Sequence, residues 1–338
     1  MPIQVNFSRR TFMLMPLAFA ACKPGQDVLQ LSGPTMGTGY NVVVSNAPVG
    51  EAEIQSAIGT ALAQVNAAMS NWSETSEISR FNASDAPTML SPELAEVMDA
   101  AEAVNTASEG TFDTTMGPLI ELWGFGAPGK AQMPSDVAIA AAQARSGHAN
   151  TLRIGAGAME KQQADAQVYL AAIGKGYGAD HVCRALEALG ITDYMVEIGG
   201  DLYAAGRNPD GMPWQIGVET PDARDRSVMD VVGVSGLGMA SSGDYRNYYE
   251  QDGQRYSHVI DPSTGRPITH TTASATVLAE NAMLADAWAT AMLTLGRDRG
   301  MAIAEREGLA VMFIERDTDA TDRQFKMSRS RRFEALTA

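Results

Sequence analysis

The stretch Met239 to Ile268, MASSGDYRNYYEQDGQRYSHVIDPSTGRPI, constrains this chain most, because turn formers repeatedly interrupt residues that favour strands. Ser241, Ser242 and Gly243 are expected as a small polar turn. Tyr245, Tyr248 and Tyr249 then precede Asp252-Gly253, a two-residue hairpin signal. The second strand, Arg255 to Ile260, alternates polar and apolar residues and runs into Asp261-Pro262-Ser263-Thr264-Gly265, where Pro and Gly impose a tight turn. Two strands and two turns therefore present His258 among hydroxyls, carboxylates and arginines. Such a hairpin serves equally as plain surface with a satisfied histidine or as a working surface, and the rest of the chain has to decide between them.

With 338 residues, 45% of them hydrophobic, the chain has ample material for a packed core. A formal net charge of −15 and a pI near 4.7 argue against nucleic-acid binding through phosphates, which needs clustered Lys and Arg. An anionic substrate must instead be met by glycine amides, a lysine or a metal ion. The only cysteines, Cys22 and Cys183, provide no disulfide framework. Ser8-Arg9-Arg10-Thr11-Phe12-Met13 and the apolar run to Ala21 make residues 1–21 a twin-arginine export signal. Ala18-Phe19-Ala20 suits ordinary signal peptidase, whereas Phe19-Ala20-Ala21-Cys22 resembles a lipobox with Phe at the usual Leu position. Cleavage removes Arg9 and Arg10 and no acid, leaving −17. The apolar run is too short for a lasting membrane span, so the expected destination is the periplasm, free or lipid-anchored through Cys22.

A polar linker over 22–32 leads to a domain over 33–325 and a basic tail over 326–338, read as a final strand and a solvated end. Thr35-Met36-Gly37-Thr38-Gly39 is a glycine-broken loop before the strand Tyr40 to Val44. Glu51 to Met69 has helical spacing, with Ile54, Ile58, Leu62, Val65 and Met69 on one face. Trp72, among small polar residues, is placed to stack on a flat ring, and Ser76 and Ser79 look like caps. Ser91 to Ser108 is a second amphipathic helix; Asp113 anchors a turn or lines a site. Gly174-Lys175-Gly176-Tyr177-Gly178 leads into a helix over Ala179 to Leu189, so amides and one cation can face a phosphate; a tight strand-to-helix crossing explains the same glycines. Strands follow at Tyr194 to Ile198, Leu202 to Gly206, Trp214 to Glu219, Val228 to Val234, Ala273 to Ala279 and Leu309 to Glu315. In the helix Asn281 to Leu295, Asp286 and Thr290 share a face among apolar residues. They suit a hard cation such as Mg²⁺, or a local Asp-Thr hydrogen bond.

Taken in order, these stretches resemble the ApbE family of FAD:protein FMN transferases. The pieces are Thr35-Met36-Gly37-Thr38, Ser76 to Asn82, Phe112-Asp113 with Gly117-Pro118-Leu119 and Trp123-Gly124-Phe125-Gly126, Gly174-Lys175-Gly176-Tyr177, Ile198-Gly199-Gly200-Asp201, Ser242 to Arg246, Tyr256-Ser257-His258 through Gly265, and Ala285-Asp286-Ala287. The resemblance implies an α/β (α+β) fold, a single T-fold domain of mixed or antiparallel sheets packed by helices, with a flavin cleft. It implies FAD as substrate and Mg²⁺ held by Asp286, Thr290 and the carbonyl of Ala172. Lys175 would face phosphate; His258 would accept the attacking hydroxyl's proton, with Asp244 or Asp261 sharing or orienting it. Met36, Gly37, Thr38, Trp72, Asp113, Gly199, Gly200, Asp201 and Ser242 would line the cleft. Trp72 stands where many members have Tyr, which keeps the ring and loses the phenol. The acceptor the family suggests is a membrane-attached electron-transfer subunit with an exposed Thr or Ser, as in sodium-pumping quinone reductases, Rnf complexes or the nitrous-oxide-reduction flavoprotein. Two other readings use the same residues: an FAD pyrophosphatase giving FMN and AMP, and a flavin carrier without turnover.

Overall fold

The computed structural model describes residues 27–126, 133–155, 157–222, 227–251, 253–318 and 324–337. The twin-arginine leader, Cys22 and Asp252 lie outside the described residues.

Eight strands form one antiparallel sheet, in the order Val28–Thr35, Thr38–Ser45, Tyr194–Ile198, Asp201–Ala205, Leu237–Gly243, Thr272–Ala279, Ala310–Arg316 and Phe325–Arg329. Both faces are apolar. Val42, Val44, Val196, Val277 and Phe313 join the helix-side clusters, whereas Val43, Met195, Leu278, Met312 and Ile314 join the opposite one. Alternation with period two therefore demands a cover on each side. Helices Glu51–Met69, Gly174–Ala188 and Ala282–Glu307 cover one side. The hairpin Trp214–Glu219 with Val228–Val234, and the helix Arg331–Thr337, cover the other. The architecture is α+β, antiparallel sheets packed by helices, as expected.

Local rules locate many elements. Glu51–Met69 buries Ile54, Ile58, Leu62, Val65 and Met69, the predicted stripe. Ser76, Ser91 and Ser135 each accept a hydrogen bond from the amide three residues on, at 3.1, 3.2 and 3.3 Å.

Four readings need correction. Val28–Thr35, taken as linker and loop, is an edge strand paired along its length with Thr38–Ser45. Ser241-Ser242-Gly243 is no turn: it ends the strand Leu237–Gly243, paired with Thr272–Ala279. The helix expected from Ala179 begins at Gly174, so the glycines lie inside it rather than before it. The tail is not solvated after its strand, because the helix Arg331–Thr337 drives fully buried Phe333 against the sheet.

Close packing is what requires Gly176. A Cβ there would lie 2.2 Å from the Ala282 carbonyl oxygen, so the Gly174 helix meets the start of the Ala282 helix backbone to backbone. Gly176→Ala is expected to lower stability by about 3 kcal/mol, since the helices must part, and thermal melting will measure it. The same junction is held by Asp180, whose two oxygens accept the amides of Ala282 and Met283 at 2.8 Å each. Burial pushes its carboxyl up to about 6, against those two amides. Asp180→Ala is expected to cost about 2 kcal/mol in chemical denaturation, because two amides of a buried helix start lose their acceptor.

Candidate active site

The first wall of the site is the hairpin turn between the edge strand Val28–Thr35 and its neighbour Thr38–Ser45. Met36 and Gly37 form it with φ of 49° and 75°, the pair of positive values a two-residue turn with right-handed twist needs. Left-handed backbone at a methionine costs about 1 kcal/mol. Packing of the Met36 side chain against both helix-side clusters opposes that cost. Its sulfur would sit 3.1 Å from a Cβ on Gly178, so the thioether lies in the groove the glycine helix leaves open.

Thr38 then meets Gly199 and Lys175. A Cβ on Gly199, whose φ is 58°, would stand 2.8 Å from Thr38 Cγ2 and 3.2 Å from Lys175 Cδ, so only glycine fits. Gly199 N–H donates to the Gly39 carbonyl at 3.1 Å. The adjoining Gly200 N–H donates to Glu197 Oε1 at 2.5 Å, while Glu197 Oε2 accepts from Asn41 Nδ2 at 2.8 Å. This clamp leads directly into Asp201.

Lys175 forms an ion pair with Asp201, and its Nζ lies 3.5 Å from Asp286 Oδ1. Asp286 Oδ2 accepts the Gly176 amide at 3.1 Å. Both carboxylates are buried. Burial works against the Lys175 charge, but Asp201 and Asp286 outweigh it and hold the ammonium above the ordinary lysine range. Burial, then the neighbouring Asp286, pushes the Asp201 carboxyl up in spite of Lys175. Two acids thus face one base. One helical turn past Asp286, Thr290 Oγ1 lies 3.2 Å from Ser242 Oγ.

Residues 36–313 match the model of the ApbE family. The chain belongs to the ApbE family. It is 41% identical over 308 residues to a protein of Vibrio cholerae named FAD:protein FMN transferase, covering 90% of this chain and 92% of that one. A protein of Haemophilus influenzae with the same name is 41% identical over 334 residues, 96% and 95% of the two chains. Among solved structures, the flavin transferase ApbE from Vibrio cholerae superposes with a TM-score of 0.84 at 39% identity, over 92% of this chain and all of that one. The apo flavinyl transferase ApbE from Pseudomonas stutzeri gives 0.83 at 35% identity, over 92% and 97%.

In this ApbE chain the donors expected for Mg²⁺ pass a chemical test. Asp286, Thr290 and the Ala172 carbonyl are hard oxygen donors, and Ala172 lies in the turn just before the Gly174 helix whose amide binds Asp286. The uncompensated negative charge of the Lys175 group favours a cation there. Among the described residues no cluster of three His, Cys, Asp or Glu offers a different metal centre.

Other predicted residues surround this group or stand apart from it. Trp72 is 67% exposed, and its loop is stitched to the segment before Ala172 by Asn71, which bonds the Val168 carbonyl and the Leu170 amide at 2.7 and 3.1 Å. Asp113 is a turn anchor, accepting from the Thr115 amide at 2.7 Å and the His148 amide at 3.3 Å. The neighbouring Thr114 carbonyl accepts from the Tyr169 amide at 2.7 Å, which sets this loop against the other side of the same segment. No hydrogen bond or ion pair joins His258 to the Lys175 group among the described residues.

The His258 Nδ1 lies 3.0 Å from the Asn247 carbonyl oxygen. A carbonyl only accepts, so Nδ1 carries the proton and Nε2 keeps the lone pair in neutral imidazole. Burial lowers the ring's pKa, opposed by the Asn247 carbonyl and the Asp244 charge. Asp244 itself binds Arg316 through both oxygens, so it acts on the ring from a distance. Asp261 Oδ1 caps its own turn, accepting the Ser263 amide and hydroxyl at 2.8 and 2.7 Å.

Sequence reasoning missed Glu197, Asp180, Arg316 and Asn247. Only Glu197 carried a local signal: a carboxylate three residues before a glycine amide in a turn.

Proposed function

We infer that this protein moves the FMN half of FAD onto a threonine or serine hydroxyl of an acceptor protein and releases AMP. The observation that carries the reading is the convergence of Lys175, Asp201 and Asp286 beside glycine amides in a chain whose relatives are named FAD:protein FMN transferase. Two carboxylates facing one ammonium would meet a pyrophosphate through a bound cation, with Lys175 beside the charge that develops on the bridging oxygen. The acceptor oxygen bonds to the flavin-side phosphorus, the bond from that phosphorus to the bridging oxygen breaks, and AMP departs with the electron pair. His258 Nε2 takes the hydroxyl proton. Lys175 holds the phosphates, and the Met36 turn and Gly199-Gly200 bring backbone close to them. Trp72, exposed on its loop, offers a face for the flavin ring. Mg²⁺, held by Asp286, Thr290 and the Ala172 carbonyl, supplies charge neutralisation when bound.

The acceptor in this reading is a membrane-attached electron-transfer subunit in the periplasm. The enzyme reaches that compartment by twin-arginine export, with Cys22 open to lipidation when the second processing site is used. Incubating the mature protein with FAD and Mg²⁺, with and without a Thr-bearing acceptor domain, and weighing the intact acceptor tests this directly. The expected result is a gain of one FMN that EDTA prevents. FAD falling to FMN and AMP with every acceptor unmodified would instead make the protein a pyrophosphatase, and binding without turnover a carrier.

A further inference from the structure

A run of aromatic rings ends on His258. Trp123 is fully buried and pinned, its indole N–H donating to the Gly265 carbonyl at 2.8 Å. It stacks on Tyr256 with centroids 5.8 Å apart, Tyr256 stacks on Tyr249 at 5.2 Å, and Tyr249 meets Phe125 at 5.6 Å. Phe125 meets the His258 imidazole edge to face, at 6.3 Å and 69°. The backbone that carries this last ring is held too. The short helix Gly117–Leu122 closes with Gly124 at φ 80°, whose amide bonds the Glu121 carbonyl, while the Phe125 amide bonds the Ile120 carbonyl, both at 3.0 Å. That pair of bonds is a Schellman cap, which holds the backbone amide of Phe125 in place.

We propose that Phe125 is a positioning residue for FMN transfer: it fixes the plane of the His258 imidazole so that Nε2 faces the acceptor hydroxyl. The Asn247 carbonyl decides which way the imidazole is flipped, and a single hydrogen bond still allows the ring to swing about it. Phe125 blocks the swing from the side and keeps water from the ring. Asp244 is the carboxylate whose charge reaches the imidazole, from the segment before the hairpin, and the Tyr249 and Tyr256 phenols stand behind Phe125 on the hairpin itself. None of them supplies the side contact. The proposal rests on His258 acting as the proton acceptor.

The test compares Phe125→Leu, Phe125→Tyr and His258→Gln in the full mature chain. FMN transfer is read by acceptor mass, FAD affinity by flavin fluorescence, and imidazole titration by NMR, where only four histidines need assignment. Phe125→Leu is expected to slow transfer at saturating FAD about tenfold, because a displaced base loses its aim, while FAD affinity holds. Its His258 resonance should titrate closer to an ordinary histidine, and Phe125→Tyr should restore both readouts. Wild-type transfer and titration in Phe125→Leu would overturn the proposal while leaving the base in place. Transfer retained by His258→Gln would overturn the base, and the proposal with it. Slow transfer in Phe125→Leu with unchanged titration and no rescue by tyrosine would mean a purely structural role, which also overturns it.

Discussion

Asp286→Ala is expected to lower FMN transfer at least about 100-fold, because the change removes both a candidate cation ligand and one of the two carboxylates facing Lys175. The acid also has a structural duty. Its Oδ2 accepts the Gly176 amide, and an alanine leaves that buried N–H without a partner at a cost of about 1–3 kcal/mol. Asp286→Asn separates the two effects. Asparagine keeps an acceptor for Gly176 and loses the charge, so its melting temperature should stay near wild type while its transfer stays low. If the asparagine variant transfers FMN at the wild-type rate, the charge at this position does not serve the reaction. EDTA on the wild type should reproduce the loss, and added Mg²⁺ should reverse it; activity that survives chelation would remove the cation from the account.

His258→Gln is expected to cost about 100-fold to 10,000-fold in transfer, the usual range for a lost general base. The pH dependence gives the sharper signature. Burial favours the neutral ring and lowers its pKa below the ordinary value of 6.5. The base therefore stays deprotonated to lower pH than a free histidine, and the acid limb of the transfer profile should fall below 6.5. That limb should vanish in the glutamine variant. The sign for stability follows the same way: above 6.5 the folded and unfolded rings are both neutral, and as pH falls through the lowered folded value the stability tied to His258 is lost. An acid limb at or above 6.5, or one unchanged by His258→Gln, would assign the proton to another group.

Much of this molecule is written locally. The stripe on Glu51–Met69, the serine caps at Ser76, Ser91 and Ser135, and the β-branched run in Thr272–Ala279 each depend on residues within a turn or two of one another. Composition argued against nucleic acid and left the substrate's charge to a few residues. The order of motifs along the chain pointed to the family before any packing was considered.

Where local signals failed, the reason was pairing across distance. Val28–Thr35 carries polar residues, a glycine and a proline, and becomes a strand because Thr38–Ser45 returns beside it. The glycines around Lys175 suit a phosphate loop by sequence alone, yet Gly176 is required by the Ala282 carbonyl, whose approach no spacing reveals. Asp244 looked free to help His258 until Arg316, 72 residues on, took both of its oxygens. Sequence by itself determined the long amphipathic helices, most strands of the main sheet, the family and the residue types of the site, because propensity, periodicity and turn chemistry act over a few residues. Only the tertiary structure decided that Lys175 sits between Asp201 and Asp286, and that His258 lies at the end of an aromatic run. Those relations are set by which strands lie side by side in the sheet and how closely two helices can pack, and a contact between distant residues leaves no mark on the spacing of either.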